Sequence, residues 1–227
     1  MASHGSISRA LASSVGTKIV IGITGLALFL YLITHIAGNL MIFLGPSMFN
    51  QYSHTLLSNP LIPVIEVGLL LVFLLHVYKT VRMTIGNRQA RPIGYVRKRM
   101  AGAPSRKSFA SSTMILSGVW LLLFMLIHVK AFRYGTEYEW PAGGRDLYRL
   151  EMENFANPLM VGFYVISMLV VGSHLWHGIS SAVQSLGLDH TVWTPRLVAA
   201  GKVIAVLIAG GFILIALWAH FNEGARV

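Results

Sequence analysis

Five long apolar runs, set apart by polar and proline-marked breaks, dominate the chain. They cover approximately residues 17–44, 61–84, 109–132, 158–186 and 195–220. Each can supply the ~20 helical residues needed to cross a bilayer's hydrocarbon core. Three boundaries carry start signals. Asn59-Pro60, Asn157-Pro158 and Thr194-Pro195 each place a capping side chain before a first-turn proline. The pattern predicts an all-α integral membrane protein of five transmembrane helices, a single domain over residues 1–227, in which segments I–IV form a bundle.

Composition agrees. Hydrophobic residues make up 55% and charged residues only 11%, where a soluble domain carries about a quarter. The net charge of +10 therefore reads as cationic cytoplasmic loops rather than nucleic-acid binding. With no cysteine, the chain holds no disulfide, thiolate metal site, iron–sulfur cluster or c-type haem attachment of its own. The first apolar run is too long for a signal peptide's h-region.

Charge also predicts orientation. The II–III loop carries Lys79, Arg82, Arg88, Arg91, Arg97, Lys98, Arg99, Arg106 and Lys107 without one acid. The I–II loop has no charged residue, and the III–IV loop mixes signs. Positive-inside logic puts the N-terminus and the II–III loop in the cytoplasm, in the cytoplasmic (inner) membrane of a prokaryote. Trp140 and Trp218 then fall near the outer interface and Trp193 near the inner one.

Histidines supply the candidate chemistry. Segments I to IV each hold one deep in the span: His35, His76, His128, and His174 with His177. Counting from flanking charges at 1.5 Å per residue, His35 and His128 lie about 25–30 Å from the inner boundary. His76 and His174 lie only about 9–15 Å from it. Histidine is costly in a membrane and marks function by default. Two layers of paired imidazoles suit two bis-histidine b-type haems stacked across the bundle. Depth does not separate His174 from His177, which are one turn apart. An interhelical hydrogen bond or a polar cavity would account for any single histidine, but not readily for four on four helices in two depth pairs.

Segments I and III share a second feature. "TGLALFLYLITH" and "SGVWLLLFMLIH" both place a hydroxyl eleven residues and a glycine ten residues before the histidine. Thr24, Gly25, Ser117 and Gly118 are thus expected at the inner layer, ~16 Å from His35 and His128, leaving room for a haem edge. Close helix packing through small residues is the competing explanation.

These motifs, "THIAGNL", "LLHVYKTVR", "LIHVK" and "SHLWHGISSAVQSLG", together with one histidine per helix, resemble the five-helix di-haem cytochrome b anchor of succinate:quinone oxidoreductases. The resemblance spans nearly the whole chain. It implies His35 and His128 as axial ligands of the outer haem, and His76 with His174 as those of the inner one. His174 is preferred over His177 because the family's ligand is followed four residues later by glycine, here Gly178. The resemblance implies a flavoprotein subunit and an iron–sulfur subunit as partners, and membrane quinone (menaquinone or ubiquinone) as substrate. It implies electron transport linked to succinate or fumarate, as in the tricarboxylic acid cycle, with the dicarboxylate chemistry on the flavoprotein. Direction and any higher oligomer stay open.

Further residues are assigned by position. Lys79, Arg82 and His177 could neutralise inner-haem propionates, and Lys130 and Arg133 the outer ones, with interfacial snorkelling as the alternative. Ser14, Lys18 and Glu66 are quinone candidates; Glu66 is the one acid well inside a span. His4, His54, His190 and His220 read as solvated. Competing functions are a different di-haem quinone-linked cytochrome and a transporter whose histidines move protons or metal.

Overall fold

In the computed structural model, residues 9–90, 109–188 and 190–222 are described. The basic stretch 91–108, His4 and Lys107 lie outside them. Among the described residues the chain is all-α; its one β-type pairing is an isolated bridge between Glu139 and Arg145.

The helices in chain order are α1 (Ser14–Asn39), continued by a 3-10 turn (Leu40–Leu44), then α2 (Pro46–Leu57) and α3 (Ile62–Gln89). There follow α4 (Phe109–Ser112), α5 (Met114–Phe132), α6 (Leu147–Ala156), α7 (Pro158–Ser185) and α8 (Trp193–Phe221). Five of them, α1 with its 3-10 turn, α3, α5, α7 and α8, are long and apolar enough to cross a membrane. This is a multi-pass α-helical membrane protein, with the spans where hydropathy put them.

The boundaries differ in physically informative ways. The third segment does not begin as one helix: α4 ends at Ser112, and α5 starts after Thr113 leaves helical geometry at φ −104°, ψ 7°. Helix α3 continues beyond Thr84 to Gln89, because a polar face costs nothing once the helix has left hydrocarbon. Helix α8 starts at Trp193, ahead of the Thr194-Pro195 signal. The Thr194 hydroxyl is used instead to tie the preceding loop, accepting from His190 N (2.7 Å) and donating to Leu188 O (2.7 Å). Asn157 does cap α7, accepting from Leu159 N at 2.9 Å.

Helix α7 is central. It packs on α8, α1 and α5, while α3 rests chiefly on α1. Small residues allow the close approaches: Gly22 of α1 faces the Ala182 backbone, and Gly172 of α7 faces Ala209 of α8. Phe29, Phe124, Tyr164, Met168, Ile208 and Ile215 form the buried centre. Helix α3 buries no residue; its apolar side chains face outward, as a membrane span's can.

Successive crossings put the first and third connections on one face and the second and fourth on the other. The second connection is the basic one, so we call its side the basic face and the opposite side the cap face. The cap face is where sequence patterning predicted loops and the structure has two helices. Gly45, at φ +89°, makes the turn that starts α2. Asn50 of α2 is fully buried. It donates to Asp146 Oδ1 (2.7 Å) and accepts from Tyr148 N (2.9 Å). Asp146 in turn caps α6, accepting from Arg149 N at 2.9 Å. One amide thus locks α2 onto the start of α6, and the signal that would have shown it is Asp146 ahead of "LYRLEMENFA".

Candidate functional site

The four span histidines fall into two pairs. On the cap-face side, His35 (α1) and His128 (α5) have ring centroids 5.9 Å apart with planes at 89°. On the basic-face side, His76 (α3) and His174 (α7) each meet a hydroxyl of another span, Thr24 of α1 and Ser117 of α5. His177 lies one turn on from His174 and is half-buried.

The spacing of the first pair can be tested against a shared metal. A metal–imidazole bond is about 2 Å, and a ring nitrogen lies about 1.1 Å from its centroid, so two imidazoles on one ion have centroids about 6 Å apart. The observed 5.9 Å fits. The surroundings are aromatic: Tyr31 stacks on His35 at 5.3 Å, Phe212 lies 5.5 Å from it, and Phe124 and Phe132 flank His128 at 5.5 and 5.3 Å. Among the described residues no group of three or more His, Asp or Glu is placed to hold an ion.

Hydroxyls orient the second pair. Thr24 Oγ1 is 3.0 Å from His76 Nδ1 and 2.7 Å from Val20 O. Ser117 Oγ is 2.9 Å from His174 Nδ1 and 2.9 Å from Met114 O. A hydroxyl has one proton, and a carbonyl can only accept. Each hydroxyl therefore donates to its own helix's carbonyl and accepts from the imidazole. Both rings thus carry their proton on Nδ1 and present an Nε2 lone pair, the arrangement ligating histidines use. At the other layer, His128 Nδ1 is 2.9 Å from Tyr164 Oη.

Thr24 and Ser117 were expected to make space; they make hydrogen bonds. Gly25 does pack closely, since a Cβ there would sit 3.2 Å from His76 Cε1. Gly118 has open space where its Cβ would be, so nothing around it explains the glycine.

The remaining assigned residues spread out. Lys79 donates to Leu11 O (3.2 Å) and Arg82 to the Tyr78 hydroxyl (3.2 Å). Lys130 is exposed at the cap-face end of α5, and Ser14 and Lys18 are exposed near the start of α1. Glu66 and Arg133 meet, Oε1 to Nε at 3.5 Å, both partly exposed. Nothing in the sequence joined these two, 67 positions apart. Two of the histidines read as solvated are engaged: His220 donates to Phe155 O at 2.9 Å, fastening α8 to α6, and His190 Nδ1 accepts from Val192 N and Trp193 N at 3.2 Å.

The fold and the paired histidines define a five-span α-helical membrane protein with two intramembrane bis-imidazole sets. The chain matches no protein-family model, and no curated protein or solved structure is significantly similar to it.

Proposed function

We propose that this chain is the membrane-anchor cytochrome b of a succinate:quinone oxidoreductase. It would pass electrons between an iron–sulfur partner and membrane quinone through two b-type haems. The observation that carries the reading is the pair of imidazole sets on four different spans, one at the spacing of a shared ion and one with Nε2 left free on both rings. Haem supplies one-electron carriage when bound.

The chain's own residues do the rest. His35 and His128 would hold one iron and His76 and His174 the other, each layer drawing on two helices. Thr24 and Ser117 fix the ring orientation at the layer nearer the basic face. Tyr31, Phe124, Phe132 and Phe212 wall the other layer with apolar surface that keeps water out. The basic stretch between the second and third spans fits the cytoplasmic side, with the N-terminus there too, and offers cations for an iron–sulfur subunit that in turn receives electrons from a flavoprotein. Glu66, paired with Arg133 near the cap face, would offer a polar contact to a quinone headgroup.

A reduced-minus-oxidised visible spectrum of the purified chain tests this, with pyridine haemochrome quantitation. Two b haems per chain are expected. Absence of haem ends the reading and favours a histidine-lined proton or metal transporter. Haem without a co-purifying flavoprotein and iron–sulfur subunit points to a different di-haem cytochrome.

A further inference from the structure

Helices α7 and α8 leave a long apolar furrow on their outward side. It consists of two adjoining hollows of about 400 and 320 Å³ that share Trp176 and Val206. On α8 the furrow runs from Ala199 to Ile213, about 21 Å at 1.5 Å per residue. That exceeds the ~15 Å hydrocarbon depth of one leaflet. Its lining is apolar except for Lys202 and the Ser173 hydroxyl. The Lys202 ammonium sits 4.7 Å from the centroid of the Trp176 ring. Among the described residues it forms no ion pair.

A cation this far inside a span is expensive unless it meets an anion. Lys202 lies nine residues from the start of α8, and Trp176 nine from the end of α7, so both are at the basic-face end of the furrow. Arg196 stands on the same stripe of α8 as Val203, seven residues earlier, and rests on Trp193 at 5.5 Å. Near its basic-face end the furrow thus sets one cation, Lys202, against one indole, Trp176, and it continues as mainly hydrocarbon surface. A negatively charged group with a long acyl tail matches that order.

We propose that this furrow is a binding site for one anionic phospholipid of the basic-face leaflet. The phosphate is held by Lys202, and an acyl chain lies along α8. This stands apart from the haem reading, since no histidine of either layer lines the furrow.

The test is native mass spectrometry of the full-length chain, extracted in its native assembly, delipidated and titrated with phosphatidylglycerol or phosphatidylcholine of matched chains. The wild type is expected to retain one phosphatidylglycerol at least fivefold better than phosphatidylcholine. Lys202→Gln should remove that preference and Lys202→Arg should keep it. Gly210→Leu fills the furrow from a position with open space around its Cβ; it should lose both lipids while circular dichroism stays unchanged. Equal retention of the two headgroups by the wild type overturns the proposal, as does undiminished phosphatidylglycerol on Lys202→Gln. A dimer that Gly210→Leu splits would assign the furrow to a second copy of the chain instead.

Discussion

The Thr24 hydroxyl of α1 accepts a hydrogen bond from His76 of α3 while donating to its own Val20 carbonyl, and Ser117 repeats the arrangement toward His174. Thr24→Val keeps the shape and removes the acceptor. An imidazole that loses such a partner becomes a weaker donor to iron, and ligand-orienting partners commonly matter about 10–100-fold in metal affinity. With the two proposed haems bound, one of them should shift to a higher midpoint potential or bind more weakly, with the other unmoved; Ser117→Ala should affect the same one. Thr24→Ser should restore wild-type behaviour. Potentiometric titration with optical detection reads this, and identical curves for Thr24→Val and wild type would refute the role.

His174 and His177 are separable by substitution. His174→Ala is expected to halve the haem content, and His177→Ala to leave it intact. Haem-to-protein ratios decide the matter, and the opposite result would exchange the two residues' roles.

The Glu66–Arg133 pair is partly exposed at both ends, and such pairs contribute about 0–1 kcal/mol. Glu66→Gln should therefore leave thermal stability within that range. If Glu66 meets quinone, the same variant lowers quinone turnover several-fold while haem content holds. Unchanged turnover would remove Glu66 from the quinone assignment.

Asn50 is predicted to matter to the cap rather than to the haems. Asn50→Ala leaves the Tyr148 N–H without its acceptor in a buried place, at a cost of about 1–3 kcal/mol. Thermal unfolding in detergent should show the loss, and an unshifted midpoint would contradict the lock between α2 and α6.

Burial pushes the Glu151 carboxyl up to about 8 from its ordinary 4.5. The folded chain therefore prefers the neutral acid. Its contribution to stability is complete below pH 4.5, falls as the pH rises towards 8, and is flat above that. Glu151→Gln should flatten this slope and be the more stable protein at pH 8. Glu153 titrates the other way, since Tyr138 and Arg149 hold its carboxyl below the usual range. Its contribution is lost only in acid, below the window that Glu151 controls.

The spans were legible because a membrane helix announces itself by length and apolarity alone. The approach of His35 to His128 was legible too, since depth is a residue count along a helix of fixed rise. Rotation is not. Whether Thr24 faces space or His76 depends on how α1 turns against α3, which no single helix records. The same holds for Glu66 and Arg133. Helices α2 and α6 escaped notice because they are short and only partly apolar, and their stability comes from Asn50, Asp146 and the surfaces they cover rather than from intrinsic propensity.

Spans one and three each carry a histidine of one layer and, eleven residues earlier, a hydroxyl that bonds a histidine of the other. Those eleven residues act as a rigid ruler of about 16 Å, present in duplicate. The gap between the two layers is then independent of bilayer thickness. In a thicker or thinner membrane the mismatch must be taken up by tilt and by the helix ends, so the distance between the two histidine layers stays the same in membranes of differing lipid content.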